Sequence, residues 1–181
     1  MVRQAIRAEG DHAVACFLRL VIGGRASDDQ KQGDAVIPVD DGDYYVEIKE
    51  CHAAFGGPGT INQIRAIKYT PLVIQAPERR CWYVVPASEL VRLAAQKERG
   101  QHTEIPFECM NLALAQLEDR GFECSDQDLS SRVMEAVRIG KREDRLRVLM
   151  GDLLQAIREL GEEYKKGFDL AETRTRAPTR L

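Results

Sequence analysis

The chain has 181 residues, 44% hydrophobic and 30% charged, with a formal net charge of −3. That length suits one domain with a sizeable core, and the acidic balance is not that of a protein that coats nucleic acid non-specifically, which relies on an excess of Lys and Arg. No apolar run approaches the ~20 residues that span a bilayer, and the opening MVRQAIRAEGDH has no signal-peptide apolar region, so a cytoplasmic location is expected.

Residues 2–21 have helical periodicity, with Ile6, Ala13, Phe17 and Leu20 on one stripe. Glu9 falls on the same stripe. A carboxylate facing inward is unusual unless it is paired or coordinates a metal; the plainer reading is a glutamate at the wet edge of the stripe. Residues 22–32, IGGRASDDQKQ, are polar and turn-rich, with room for a short irregular strand before the hairpin; Asp28, Asp29, Lys31 and Gln32 could reach a phosphate or the site, against the plainer reading of a solvated loop.

Residues 33–50, GDAVIPVDDGDYYVEIKE, read as a β-hairpin. Asp41-Gly42 suits a two-residue type I′ turn, whose central residues need positive φ, and apolar-rich runs flank it. Pairing Asp40 with Asp43 would set Val36 opposite Glu47 and Asp34 opposite Lys49. One face then holds Ala35, Ile37, Val39, Tyr44, Val46 and Ile48, and the other gathers Asp34, Glu47 and Lys49 at the end away from the turn. Two carboxylates this close repel and raise each other's pKa. Mg²⁺ relieves such repulsion, since it takes oxygen ligands, keeps several waters and is commonly held by one or two carboxylates plus a substrate phosphate. An ammonium alongside can orient or activate water and meet charge growing on a phosphoryl group. The rival reading is a solvated strand face with a surface ion pair.

Gly56-Gly57-Pro58-Gly59 follows, with no Gly-Lys-Ser/Thr to make a nucleotide loop. The spacing of Ile61, Ile64 and Ile67 predicts a helix over 60–69, opened by a capping box of Thr60 and Gln63. Arg65, Lys68 and Tyr69 on it could contact phosphates. Apolar runs at 71–75 and 81–85 predict interior strands of a mixed sheet, and Ser88 is expected to cap a helix running to about 97. His102 and Glu104, in a polar connection, could serve catalysis or base readout. A helix ending near Gly121 and helices over 126–137 and 143–164 are expected, the last with Leu146, Leu149, Leu153, Ile157 and Leu160 at amphipathic spacing, to close the core or form a dimer face. The tail from 173 is basic and contains proline. The five cysteines form an odd set with no CxxC and read as reduced thiols; a zinc site with His52 or His102 is the weaker alternative.

Asp34, thirteen positions before Glu47-Ile48-Lys49, resembles the catalytic core of the PD-(D/E)XK nuclease superfamily, which includes type II restriction endonucleases and Holliday-junction resolvases. Gly33 stands where proline precedes the aspartate in that loosely defined motif. The resemblance implies an α/β fold, a restriction-endonuclease-like core with a central mixed β-sheet flanked by helices over 1–100; beyond it the pattern and composition read as a helical C-terminal region over 101–172 for packing, dimerisation or DNA recognition, and a basic flexible tail over 173–181. It implies Mg²⁺ (or Mn²⁺) held by Asp34 and Glu47, with Glu9 resembling a first-helix glutamate near the metal in resolvase-like members. Lys49 would activate water, and Gln63 resembles a polar residue beside the active site on the following helix. Arg65, Lys68 and His102 would contact DNA. The expected activity is endonucleolytic hydrolysis of DNA leaving a 5′-phosphate, most readily as a homodimeric type II restriction enzyme matching a palindromic site. The alternatives are a structure-specific nuclease of junction or repair type, or a non-catalytic DNA-binding protein on the same fold. Arg79-Arg80, the basic cluster from Arg138 to Arg147 and the tail arginines could supply local positive surface despite the net charge.

Overall fold

The computed structural model describes residues 2–29, 32–39, 42–52, 59–66 and 71–175, the backbone alone at 2–10, 141–147, 150 and 164–175. The chain divides into two compact units, Met1–Arg147 and Val148–Leu181. Helix α1 spans Val2–Leu20. The strands are β1 (Arg25–Ala26), β2 (Ala35–Val39), β3 (Gly42–Glu50), β4 (Thr60–Ile64), β5 (Leu72–Ala76), β6 (Cys81–Val85), β7 (Met110–Ala113) and β8 (Glu123–Cys124). Helices α2 (Ala87–Ala95), α3 (Leu114–Glu118) and α4 (Leu129–Thr175) complete the set. No helix among the described residues is long and apolar enough to cross a membrane.

The first unit is a mixed α/β layer structure. Its central sheet has six strands in the order β1-β2-β3-β5-β6-β8, and β4 pairs with β7 in a separate two-stranded ribbon. β3 runs parallel to β5, whereas β2–β3, β5–β6 and β6–β8 are antiparallel. As their unbroken apolar runs require, β5 and β6 lie in the interior: all five residues of β6 are buried.

Strand alternation divides the core in two. On one side Ile37, Val46, Ile48, Val73, Trp82 and Val84 pack against Ala13, Phe17 and Val21 at the C-terminal end of α1 and just beyond, and against Leu129, Val133 and Val137 of α4. The spacing of Ala13, Phe17 and Val21 puts one residue per turn on this face; full burial of Phe17 stabilises by about 1.5–3 kcal/mol. Trp82 resolves its buried indole by donating from Nε1 to Asp126 Oδ1 at 2.7 Å. On the other side Leu72, Ile74, Tyr83 and Val85 meet Ile61 and Ile64 of β4, Met110 and Leu112 of β7, Leu90 and Leu93 of α2, and Leu114 and Leu117 of α3.

Three local expectations are corrected. Residues 60–64 form a strand, not the N-terminal turns of a helix. Ile61 pairs with Leu112 and Ile64 with Met110, so Asn62 and Gln63 together oppose Asn111 in a β-bulge. The extra residue returns Ile64 to the same buried face as Ile61, which is why a strand displays the i, i+3 spacing of a helix. The Thr60–Gln63 capping box therefore does not form; Gln63 instead takes φ 58°. Ser88 lies inside the first turn of α2, 4% exposed, and Pro86 occupies the cap position. The helix expected to end near Gly121 is limited to α3, preceded by β7 over residues that were expected to be helical. All five cysteines are free thiols.

Candidate active site

The hairpin forms with a different register from the one expected. Val39 pairs with Gly42 and Val36 with Tyr45, ending at Ala35 opposite Val46. Each residue of β2 thus meets a partner two positions nearer the turn than the Asp40–Asp43 pairing required; Asp40 and Asp41 lie outside the described residues. A shift of two leaves every side chain on its original face, so Ala35, Ile37, Val46 and Ile48 are buried on the α1 side, with Val39 and Tyr44 packed at its margin. The hydrophobic pattern could not choose between these registers, because both bury the same residues.

The register decides which residues meet. Asp34 N–H donates to Val46 O at 2.9 Å, and Asp34 Oδ2 accepts the N–H of Ile48 at 2.8 Å. The next β3 amide on that edge is thus capped by a carboxylate instead of by the carbonyl of a paired strand. Such a charge-assisted bond contributes about 1.5–3 kcal/mol, and it holds the Asp34 carboxylate at the backbone between Glu47 and Lys49. Glycine at 33 makes the approach possible: a Cβ there would lie 2.9 Å from Val46 O and 3.1 Å from Tyr45 Cβ. A glycine at this position is what the close contact demands.

Glu47 and Lys49 lie level with Leu72 and Ile74 of β5, so their side chains leave β3 on the side of the sheet that carries the β4–β7 ribbon. The Glu47 N–H is held by Pro71 O at 3.1 Å. Lys49 Nζ stands 3.2 Å from Glu47 Oε1, with the two side chains 23% and 14% exposed. The lysine offsets one of the two negative charges. The Glu47–Lys49 ion pair is thus partly buried, not fully solvent-exposed.

The remaining sequence candidates are dispersed. Glu9 lies on α1, and its side chain is outside the described residues, as are Lys31 and Lys68 entirely. Gln63 is exposed on the β4 bulge, its N–H donating to Gln101 Oε1 at 2.7 Å. Arg65 is exposed just after β4. His102, with φ 66°, and Glu104 line an open cleft of about 500 Å³ together with Arg99, Gln101, Thr103 and Asn111.

Hard oxygen donors from two carboxylates suit Mg²⁺, which needs few protein ligands and retains water. Among the described residues no group of three or more His, Cys, Asp or Glu gathers as a metal-holding set. Asp34 and Glu47 offer two carboxylates, a donor chemistry compatible with a hydrated hard cation and short of the four protein ligands of a structural zinc site.

Sequence reasoning overlooked two polar assemblies. Gln101 clamps the bulge, accepting from Gln63 N–H and donating from Nε2 to Asn62 Oδ1 at 3.2 Å. At the end of β3, His52 Nε2 contacts Glu50 Oε1 at 2.9 Å and Nδ1 contacts Glu78 Oε1 at 2.7 Å. The Gln63–Gln101 and His52–Glu78 partners are 38 and 26 residues apart, so neither of these two contacts has a local sequence signature.

No family model matches the chain, and no curated protein matches it in sequence. Among solved structures, it is similar to a bacterial homing endonuclease at 13% identity, with 76% of this chain and 97% of that chain covered and a TM-score of 0.47.

Proposed function

We propose that the protein is a metal-dependent DNA endonuclease of the PD-(D/E)XK kind, with Asp34, Glu47 and Lys49 as its catalytic residues. One observation carries the reading: Asp34 is pinned to the Ile48 amide at 2.8 Å, between Glu47 and a Lys49 whose ammonium lies 3.2 Å from the Glu47 carboxylate. Asp34 and Glu47 would hold Mg²⁺, with Mn²⁺ able to substitute; Glu9 is a further candidate ligand. When bound, the ion would supply positive charge against the scissile phosphate. Lys49 orients the attacking water and meets the negative charge that grows on the phosphoryl oxygens. Water oxygen bonds to phosphorus as the P–O3′ bond breaks, leaving a 5′-phosphate and a 3′-hydroxyl.

Sequence-specific cleavage of the type II restriction kind, by a homodimer, is the form we favour. Leu149, Leu153, Ile157 and Leu160 are all about half exposed or more along α4, in the second unit. Their spacing of four, four and three residues makes an apolar seam suited to the same helix of a second copy. A two-fold dimer matches a palindromic duplex.

The test is incubation of supercoiled plasmid and genomic DNA with Mg²⁺, Mn²⁺ or EDTA, comparing the wild type with Asp34→Ala and Lys49→Ala. Discrete metal-dependent bands, lost in both variants, are expected. Cleavage confined to branched substrates would replace the restriction reading with a structure-specific nuclease. Binding without cleavage of any DNA would leave a non-catalytic DNA-binding protein.

A further inference from the structure

The β4–β7 ribbon leaves the sheet on the same side as Glu47 and Lys49, and one of its faces is spent on the core: Ile61, Ile64, Met110 and Leu112 are buried. The outer face presents Thr60, Asn62, Gln63 and Asn111, all exposed, with Arg65 immediately beyond. Neither strand of the ribbon carries a carboxylate, in a chain whose net charge is −3, although Glu104 of the adjoining segment lines the cleft beside Asn111 together with Arg99 and His102. The bulge sets the Asn62 and Gln63 amides against the Asn111 amide, two residues opposing one. Gln63 adopts φ 58°, a left-handed backbone that side-chain-bearing residues rarely take. The Gln101 side chain steadies this conformation through Gln63 N–H and Asn62 Oδ1, at 2.7 and 3.2 Å. Bulges re-aim side chains, and strained backbone held by dedicated partners marks sites of use more often than idle surface.

We infer that this ribbon is the sequence reader of the molecule and that it enters the major groove of duplex DNA. The major groove admits a two-stranded β-ribbon, and an Asn or Gln amide matches adenine there by accepting from N6 and donating to N7. Asn111 reads an A·T pair, Asn62, whose Oδ1 accepts from Gln101 Nε2, shapes the ribbon beside it, and Arg65 contacts guanine or a flanking phosphate. The inference rests on the nuclease reading for its substrate.

The experiment selects bound duplexes from a randomised DNA library in Ca²⁺ and, separately, sequences the ends cut in Mg²⁺. It compares the wild type with Asn111→Ala, Asn111→Asp and Lys49→Ala, each with its thermal melt. The wild type should recover a motif containing an A·T position. Asn111→Ala should lose at least about 10-fold discrimination there, as expected for one bidentate contact. Asn111→Asp, nearly isosteric but unable to donate to adenine N7, should shift that position toward cytosine. Lys49→Ala should recover the wild-type motif without cutting. A wild type with no motif, or Asn111 variants that keep the full wild-type motif, would overturn the reader. A wild type that selects a motif yet never cuts would leave the reader standing and remove the nuclease.

Discussion

Gly33→Ala tests how tightly the candidate site depends on chain packing. The new Cβ would stand 2.9 Å from Val46 O, 3.1 Å from Val46 C and 3.1 Å from Tyr45 Cβ. Two of those three atoms belong to the backbone of a central strand and cannot swing aside. An ordinary contact needs roughly 3.4 Å or more between such atoms, so the chain at 33–34 must retreat by about 0.5 Å. The same retreat stretches the Asp34 bonds to Val46 O and Ile48 N, now 2.9 and 2.8 Å. Overpacking of this kind costs about 1–3 kcal/mol, or several degrees in melting temperature for a chain of this size. A misplacement of 1 Å can cost about 100-fold in rate, so half of that predicts a cleavage rate lower by roughly 10-fold. The assay is plasmid cleavage at saturating Mg²⁺ beside a thermal melt. Gly140→Ala is the control: a Cβ there meets nothing within 4 Å, and alanine in a helix interior should raise stability by about 0.5–1 kcal/mol. A Gly33→Ala protein with wild-type melting and wild-type cleavage would refute the close-contact argument.

Asp34→Asn keeps an oxygen to accept the Ile48 N–H and removes the charge. It should therefore melt within about 1 kcal/mol of wild type yet lose cleavage, whereas Asp34→Ala also uncaps a backbone amide at about 1–3 kcal/mol; equal melts for the two would deny the cap. Burial pushes the Cys124 thiol up to about 11 and raises Cys51, Cys81 and the Tyr83 hydroxyl as well. Their neutral forms are favoured in the folded state, so stability is full below pH 9 and falls as pH rises from 9 toward 11. Cys124 alone would remove roughly 2–3 kcal/mol over that window, and denaturant melts at pH 8 and pH 10.5 with equal midpoints would contradict this. Leu153→Lys places a charge in the apolar seam of α4 and should convert a dimer to monomer in sedimentation velocity, at unchanged helix content. A wild type already monomeric at high micromolar concentration would dismiss the seam as an interface.

Much of this architecture is legible in the sequence where one physical rule dominates. Alternation in AVIPV and YYVEIK announces which face of the hairpin is buried, and the unbroken LVI and CWYVV runs announce interior strands. Rules fail where two solutions satisfy the same pattern. Registers that differ by two bury identical residues, so hydrophobicity alone could not name the partner of Asp34. Ile61 and Ile64 obey both a helical repeat and a bulged strand, and β7, nearly fifty residues away, selects the strand. The clamp of Gln101 on Asn62 and Gln63 is wholly tertiary and has no local trace.

The capped amide of Ile48 has a consequence for life in a crowded solution. The β2–β3 ladder stops at Ala35–Val46, so the distal part of β3 would otherwise present a bare hydrogen-bonding edge in the middle of the sheet, and such edges recruit strands from other molecules. A carboxylate seated on that edge with a lysine beside it makes a poor template for a neighbour's strand. The charges proposed to hold a hard cation would then also act as gatekeepers against aggregation. Neutralising Asp34 and Lys49 together should therefore shorten the protein's shelf life as well as silence it.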